Sequence, residues 1–197
     1  MKPRGYAQRY TMLSKKEARR LAAVRERECT ETYLRSADEA SFQRLFELEA
    51  YRRAETIFSY IGIGLEPDTA VIINNALKSG KKVAVPKITG RGTMEAAFIS
   101  SLEELSEGAF GLLEPPAGYT AAELSETDVI ILPASAFSRR LERLGRGGGY
   151  YDRFLLVSCG IKIGIGREKL LFDTLPTEPH DIGPDVLITE KEIRSRR

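Results

Sequence analysis

The alternation of short apolar runs with helical segments between residues 56 and 189 constrains the fold most strongly. Such alternation is typical of a mostly parallel sheet whose strands are joined by crossover helices. One stretch, from Asp68 to Ser79, has helical periodicity and is followed by Gly80, a residue type that commonly ends helices. The pattern predicts an α/β fold, with strands at TIFSYI, KKVAVP, MEAAFI, VIILP, IKIGI and DVLIT.

Two more helices are predicted ahead of the first strand. Ser14 and Glu17 form a capping-box pattern, so a first helix should begin at Ser14 and run to about Tyr33. Ser36 and Glu39 repeat the pattern, and apolar residues at helical spacing follow them. The second capping box therefore predicts a second helix.

The length and composition of the chain fit one domain. With 197 residues, 42% of them hydrophobic, it can bury one sizeable core. We interpret residues 1–13 as a flexible extension and residues 14–197 as a single α/β domain. In this domain a mostly parallel sheet is flanked by helices, with two N-terminal helices ahead of it.

The charge and cysteine content exclude several classes of protein. The formal charge of +2, from 30 basic and 28 acidic residues, is too small for a general nucleic-acid binder. The basic opening segment lacks the apolar region of a signal peptide, and no apolar run is long enough to span a membrane. Cys29 and Cys159 have no CxxC partner, which suits a reducing cytoplasm and argues against a zinc site. We therefore expect a cytoplasmic protein with neither nucleic acid nor membrane as a partner. We also expect a monomer whose partners are small molecules.

The segment from Arg143 to Leu155, RLGRGGGYYDRFL, is typical of a loop that handles phosphate. Its glycines let the backbone close on an anion and turn N–H groups toward it, and Arg143 and Arg146 add forked cationic donors. A helix is predicted directly after the glycines, with its positive end facing the same anion. The alternative is a flexible surface loop with a glycine-rich helix cap. The glycines of this loop are Gly145, Gly147, Gly148 and Gly149.

Spacing excludes the common nucleotide motifs. A P-loop needs Gly-Lys followed by Ser or Thr, which the chain lacks. A dinucleotide fingerprint needs glycines at the first, third and sixth places, and from Gly145 the sixth place is Tyr150. Gly62 and Gly64 fail the same test because the sixth place is Pro67, so we interpret this pair as a turn.

The loops that follow the predicted strands indicate where a ligand would bind. In open α/β sheets, ligands bind beyond the carboxyl ends of the strands. The loops after TIFSYI, VAVP and VIILP should gather there. We therefore expect Glu66, Pro86, Lys87 and the glycine loop around one crevice.

The charged candidates each have a functional and a structural interpretation. Asp152 and Asp181 suit Mg²⁺ that is bound together with nucleotide phosphates. The structural alternatives are a helix N-terminal charge for Asp152 and a loop cap for Asp181. Lys15 and Arg19 share one face of the first helix, which without further context is a solvated basic face. Glu66 can accept hydrogen bonds from ring N–H groups or be a plain surface acid.

The remaining candidates are aromatic or nucleophilic. Tyr150 and Tyr151 can stack on a planar ligand, or one of them belongs to the core. His180 is the sole histidine of the chain, and the nearest serines carry no GxSxG elbow. A Ser-His-Asp site is therefore poorly supported.

Taken together, these residues resemble the 5-formyltetrahydrofolate cyclo-ligase family over most of the chain. The block from Arg143 to Asp152 carries the most specific part of the resemblance. The other matching features are Lys15 and Arg19, Glu66 with Asp68 and Thr69, Pro86 at the VAVP strand end, GLLEP around Glu114, DVIILP, and HDIGPDVLITE.

The resemblance implies ring closure of 5-formyltetrahydrofolate to 5,10-methenyltetrahydrofolate, with ATP as co-substrate, Mg²⁺ as cofactor, and release of ADP and phosphate. It implies catalytic roles for Arg143, Arg146 and Tyr151, and Mg²⁺ ligation by Asp152 and Asp181. The implied ATP contacts are Lys15, Arg19, Arg143, Gly147, Gly148, Gly149 and Tyr150. The implied folate contacts are Ile61, Glu66, Arg146, Tyr150 and Tyr151.

The chain departs from the family pattern at three positions. Ser138 and Leu141 stand where the family usually has aspartate and glycine, and Lys169 stands where it often has glutamine. One alternative is therefore a catalytically weak relative that binds nucleotide or folate as a regulator. Another is RNA binding by the basic amino-terminal extension, which the lack of interleaved stacking aromatics disfavours.

Overall fold

A computed structural model describes residues 13–196, apart from the side chain of Phe110. Except for Leu13, the predicted flexible extension lies outside the described residues. None of the helices within residues 13–196 is long and apolar enough to cross a bilayer. The helices are α1 (Lys15–Arg27), α2 (Glu31–Glu47), α3 (Glu49–Arg53), α4 (Ala70–Lys78) and α5 (Tyr150–Val157). The strands are β1 (Thr56–Ser59), β2 (Lys82–Gly90), β3 (Thr93–Ile99), β4 (Ser106–Glu107), β5 (Leu113–Glu114), β6 (Val129–Leu132), β7 (Ala136–Phe137), β8 (Arg143–Leu144), β9 (Ile161–Ile165), β10 (Val186–Ile188) and β11 (Ile193–Ser195).

The main sheet confirms the predicted α/β class. Its strand order is β11-β10-β9-β6-β1-β2-β3. The pairs β10/β9, β9/β6, β6/β1 and β1/β2 are parallel, whereas the edge pairs β2/β3 and β10/β11 are antiparallel. Every residue of β1 and β6 is buried. This burial on both faces explains why β6 is a continuous apolar run and why β1 is apolar at its centre.

Alternate residues of the strands pack against helices on opposite faces of the sheet. On one face, Ile57 and Val129 pack in a cluster with residues of α2, α3 and α4. On the other, Phe58 and Ile130 pack in a cluster with Phe154 of α5. The domain is therefore a single unit with helices on both sides of its sheet. A smaller cluster joins α1 to the loops beyond the sheet and includes Ala18, Ala22, Leu144, Phe172 and Leu175.

The start of α1 was predicted correctly, but the boundary between the first two helices was wrong. Ser14 Oγ accepts a 3.2 Å hydrogen bond from the Glu17 N–H, and Glu17 Oε2 accepts one of 2.8 Å from the Ser14 N–H. The helix ends at Arg27, and Thr30 caps α2 by accepting a hydrogen bond from the Tyr33 N–H. Ser36 therefore lies inside α2. Serine side chains within helices commonly donate a hydrogen bond to a backbone carbonyl of the preceding turn.

Glu168 holds together the loops near the carboxyl end of the chain. It pairs with Arg139, lies 3.3 Å from Arg194 and accepts a 3.0 Å hydrogen bond from Thr189 Oγ1. Burial alone would raise the pKa of this carboxyl, but the hydrogen bonds from Arg194, Arg139 and Thr189 lower it to about 2.

We expect this carboxylate to make stability pH-dependent in acid. The pKa of Glu168 is lower in the folded state than in the unfolded state. Its contribution to the free energy of unfolding is therefore complete above about pH 4.5 and is lost as the pH falls toward 2. Its arginine partners are partly exposed, so we expect a contribution on the order of 1–2 kcal/mol. Urea unfolding of the wild type and Glu168→Gln at pH 7, 4 and 3 measures it. The stability difference between the two proteins should shrink as the pH falls, and a constant difference would contradict the assignment.

Candidate functional site

A pocket lies at the carboxyl edge of the main sheet, where the segments after β1 and β6 meet the second half of β2. The predicted end of β2 at Pro86 was wrong, because the strand continues to Gly90 as it pairs with β3. The pocket is open at its mouth, and its empty volume, which includes solvent at that opening, is about 950 Å³. The expected crevice is present: Glu66, Pro86 and the glycine loop all line it, and Lys87 lies behind its wall, 3.1 Å from the lining residue Glu114. Its other lining residues include Tyr60, Ile61, Ile63, Ile88, Met94, Leu112, Pro133, Arg143, Arg146, Tyr150, Tyr151 and Asp152.

The glycine loop borders the pocket and leads directly into α5, as predicted. Gly147 and Gly149 have φ angles of 104° and 67°, which glycine adopts without the steric cost of a Cβ. Gly149 is the N-terminal flanking residue of α5, and none of the described side chains caps this end of the helix. The positive end of this helix therefore adjoins the pocket.

Arg19 fixes the loop to α1. Its Nε donates a 2.7 Å hydrogen bond to the Gly145 carbonyl, and a Cβ at Gly147 would lie 3.5 Å from the Arg19 guanidinium carbon. The Nε of Arg19 thus binds the loop at Gly145, while its two terminal nitrogens lie beside Gly147. The basic face of α1 is therefore packed against the glycine loop and is not a plain solvated face.

Arg143 is buried at the base of the pocket. Its side chain is 2% exposed and forms an ion pair with Asp152. Its Nε also donates to the Ile182 carbonyl at 2.8 Å, and the Asp152 carboxylate accepts a 3.2 Å hydrogen bond from the Ile182 N–H. This network joins β8, α5 and the segment around Ile182, so the guanidinium has a fixed orientation.

Arg146 and Glu66 face each other from two loops of the pocket. Arg146 Nη2 lies 2.6 Å from Glu66 Oε1, and Glu66 Oε2 accepts a 3.1 Å hydrogen bond from the Ile63 N–H. The Arg146 side chain is 55% exposed, whereas that of Glu66 is 12% exposed. Arg146 is therefore a cation at the pocket mouth that can turn toward an anionic ligand. Gly64, next to Ile63, has a φ of 63° in a turn, in agreement with the turn interpretation of Gly62 and Gly64.

Lys15 joins the first turn of α1 to the segment that contains Asp181. Its Nζ lies 2.7 Å from Asp181 Oδ2 and 2.9 Å from Glu178 Oε2. Burial lowers the pKa of Lys15, but the hydrogen bonds to Asp181 and Glu178 outweigh it and raise the pKa above the usual value. Burial also opposes ionisation of Asp181, yet Lys15 and the Glu178 N–H lower its pKa. The pair is therefore ionised at neutral pH.

Tyr151 lies between the two halves of the core and lines the pocket with Ile61 and Tyr150. Its hydroxyl is buried and has no hydrogen-bond partner among residues 13–196. Burial raises the pKa of Tyr151 far above that of a free phenol. The hydroxyl is therefore protonated at neutral pH and can donate to a ligand oxygen.

The two predicted Mg²⁺ ligands differ in what they offer. Asp152 uses Oδ1 for Arg143 and Ile182, and in the described part of the chain its Oδ2 accepts no hydrogen bond. This oxygen fits a hard cation that is bound mainly by phosphates. Asp181 Oδ1 accepts a hydrogen bond from Lys15, and Oδ2 accepts one from the Glu178 N–H, so Asp181 would have to exchange these partners for a metal.

The departures Ser138 and Leu141 lie in the turn that joins β7 to β8, and neither is among the described residues that line the pocket. Leu141 has a φ of 62°, the left-handed conformation that glycine adopts without strain, and its side chain is buried among apolar residues. Burial of leucine offsets the strain of roughly 1–2 kcal/mol. The turn that positions Arg143 is therefore preserved without a glycine.

Glu142 supplies a carboxylate beside Ser138. Ser138 Oγ donates a 2.7 Å hydrogen bond to Glu142 Oε2, which also accepts one of 2.7 Å from the Leu175 N–H. The charge that an aspartate at 138 would carry is therefore present on the neighbouring Glu142 side chain. Lys169, the third departure, stacks its Nζ 4.0 Å over the Tyr33 ring.

We expect Ser138→Asp to destabilise the protein by about 1–3 kcal/mol at pH 7, because it places a second carboxylate against Glu142 at a buried position. Thermal unfolding measures this loss. The double variant Ser138→Asp/Glu142→Gln should recover most of it, since one of the two charges is removed. A stabilised Ser138→Asp protein with intact Glu142 would contradict this interpretation of the turn.

Two buried pairs were not predicted from the sequence. Lys87 and Glu114 pair in the pocket wall, and Arg167 pairs with Asp38 behind the loop that carries Glu66. Glu114 is the one acid in the otherwise apolar stretch GLLEP, and this was the sequence signal that could have indicated its role. The long-range partners of Arg167 left no local signal.

Comparisons with known proteins agree with the geometry. A family model described as the 5-formyltetrahydrofolate cyclo-ligase family matches residues 11–190, which include α1, the glycine loop and the pocket. A 5-formyltetrahydrofolate cyclo-ligase of Mycolicibacterium smegmatis is 34% identical over 69% of this chain and 74% of its own. That of Escherichia coli (strain K12) is 29% identical over 71% and 80%. The NMR structure of an Aquifex aeolicus 5,10-methenyltetrahydrofolate synthetase matches with a TM-score of 0.80 and 31% identity over 93% of each chain.

Proposed function

Because the chain belongs to the 5-formyltetrahydrofolate cyclo-ligase family and is an enzyme of that class, we propose that it closes the ring of 5-formyltetrahydrofolate at the expense of ATP. The products would be 5,10-methenyltetrahydrofolate, ADP and phosphate. The observation that carries this proposal is the placement of the glycine loop, Arg143 and the N-terminus of α5 along one wall of a largely apolar pocket. We further propose that the enzyme acts as a monomer in the cytoplasm.

The nucleotide phosphates would lie against the glycine loop. The phosphates would contact backbone N–H groups of this loop and the Arg19 guanidinium, which lies beside Gly147. The Lys15 ammonium, which pairs with Asp181 and Glu178 in this structure, would turn toward them. Cations and oriented amides lower the barrier to phosphoryl transfer by stabilising charge on the transferred group. Mg²⁺, when bound with the nucleotide, would supply further charge neutralisation, with Asp152 Oδ2 as its first protein ligand and Asp181 as a second.

The folate would occupy the apolar part of the pocket, beside Ile61, Glu66 and Tyr151. The formyl oxygen attacks the γ-phosphorus of ATP and ADP leaves, which gives an activated formyl phosphate. The N10 nitrogen then attacks the formyl carbon, phosphate leaves and the N10 proton is released, so the methenyl bridge forms. The protein needs no covalent nucleophile for these steps, because binding in an aligned geometry and charge neutralisation drive them.

Three residues would act on the reacting groups. Arg146 can exchange its ion pair with Glu66 for one with the transferred phosphate. Arg143, at the base of the pocket, provides a positive charge in a fixed position. The protonated Tyr151 hydroxyl can donate to an oxygen of the activated group. A regulator that binds without catalysis is the second candidate, but the departures that motivated it leave the pocket wall intact.

Absorbance at the methenyltetrahydrofolate band tests the proposal. Purified protein with 5-formyltetrahydrofolate, ATP and Mg²⁺ should produce the band, and omission of any one of the three should abolish it. Arg146→Ala is a suitable negative control: it removes a side chain proposed to act on the transferred phosphate, and because that side chain is exposed, buried packing is kept. No band from folded wild-type protein that binds ATP would favour the regulator.

A further inference from the structure

Two glutamates line the pocket from different elements, and in this structure only Glu114 has a carboxylate oxygen without a partner among the described residues. Glu66 uses Oε1 for Arg146 at 2.6 Å and Oε2 for the Ile63 N–H at 3.1 Å. Glu114 uses Oε2 for Lys87 at 3.1 Å. Its Oε1 is buried, and nothing within the described residues donates a hydrogen bond to it.

Without a ligand, the surroundings of Glu114 make its unpaired Oε1 energetically unfavourable. The residue is 4% exposed, so bulk water solvates it poorly. The neighbouring pocket wall is apolar and includes Ile88, Met94 and Leu112. Buried carboxylate oxygens without a donor are rare in folded proteins, and one that persists in a pocket wall indicates that the donor arrives with the ligand.

The chain holds this carboxylate in place from behind. Lys87 Nζ bridges Glu114 and the Pro115 carbonyl, to which it donates a 2.9 Å hydrogen bond. A Cβ at Gly108 would lie 2.6 Å from Glu114 Oε2, so glycine is required there for the carboxylate to occupy this position. The site is therefore fixed on one side by a cation and on the other by a close backbone.

We propose that Glu114 Oε1 accepts a hydrogen bond from the aminopyrimidine edge of the reduced folate, and so determines specificity for that ring. The inference rests on the proposed function. That edge carries the 2-amino group and ring N–H donors, which complement a carboxylate. A phosphate or a glutamate tail would be repelled by it, so this part of the pocket suits the heterocycle rather than the anionic ends of either substrate.

Binding of 5-formyltetrahydrofolate and of its 2-desamino-2-methyl analogue, measured by calorimetry without ATP, tests the proposal. Wild-type protein should bind the amino compound about 10- to 100-fold more tightly. Glu114→Gln should lose this preference, because Lys87 needs the amide oxygen and the amide NH₂ then faces the ligand donor. ADP affinity should not change. Glu95→Gln, an exposed acid on β3 bonded to Tyr119, is the matched control and should behave like wild type.

The outcomes separate this inference from the function on which it rests. Equal affinity of the wild type for the two ligands, or full preference retained by Glu114→Gln, would overturn the role of Glu114 alone. A loss of ADP affinity in Glu114→Gln would overturn it as well, since the carboxylate would then serve the nucleotide. A wild type that binds neither folate would refute both. The comparison of ligands on the wild type needs no variant, so it holds even if Glu114→Gln folds poorly.

Discussion

We expect Asp152→Ala to lower the free energy of unfolding by about 3–5 kcal/mol and to abolish ring closure. The substitution leaves the Arg143 guanidinium 2% exposed without its anion, and two backbone carbonyls cannot replace that charge. It also removes the carboxylate proposed for Mg²⁺. Urea unfolding and the methenyl absorbance assay measure the two effects separately.

Two further variants distinguish the structural role of Asp152 from the chemical one. Asp152→Asn keeps an acceptor for Arg143 and the Ile182 N–H, so we expect a smaller loss of stability with activity still reduced by orders of magnitude. The double variant Arg143→Met/Asp152→Leu should recover much of the stability, because no buried charge remains, but none of the activity. An Asp152→Ala protein as stable as the wild type would contradict the buried ion pair.

The sheet and the position of the site could be predicted because they depend on local patterns. Parallel strands that are buried on both faces are mostly apolar, and this appears directly in the sequence as runs such as VIILP. Ligands bind at the carboxyl ends of such strands, so the loops after β1 and β6 were sufficient to place Glu66 and the glycine loop together. Helix boundaries were harder, since Thr30 and Ser36 are both capable caps and packing decides between them.

Partners of the charged residues could not be predicted because they come from distant parts of the chain. Arg19 and Lys15 were correctly placed on one face of α1, but the contact of Arg19 with Gly145 joins residues 126 positions apart. Asp152 and Asp181 were grouped as metal ligands, yet each already pairs with a different cation. In the sequence, Glu114 could be identified only as part of a motif. That its Oε1 is open to a ligand follows from the position of Lys87, which pairs with Oε2.

Arg167 illustrates how a buried charge behind the site supports the pocket. Its side chain is 4% exposed and makes a bidentate pair with Asp38 of α2, through distances of 2.7 and 2.8 Å. Its Nη1 donates to the Leu65 carbonyl at 2.8 Å and lies 3.2 Å from Glu26 of α1. One guanidinium thus links α1, α2 and the loop that carries Glu66.

We therefore expect Asp38→Ala to destabilise the protein by about 3–5 kcal/mol, because the buried Arg167 loses its bidentate partner. Thermal and urea unfolding measure this loss. In Arg167→Met/Asp38→Leu both charges are replaced by apolar side chains, and we expect stability close to that of the wild type. This double variant still lacks the donor to the Leu65 carbonyl, so the loop with Glu66 should be less ordered and folate affinity should fall more than ADP affinity. Equal losses for the two ligands would mean that Arg167 supports the fold as a whole and not the folate side of the pocket.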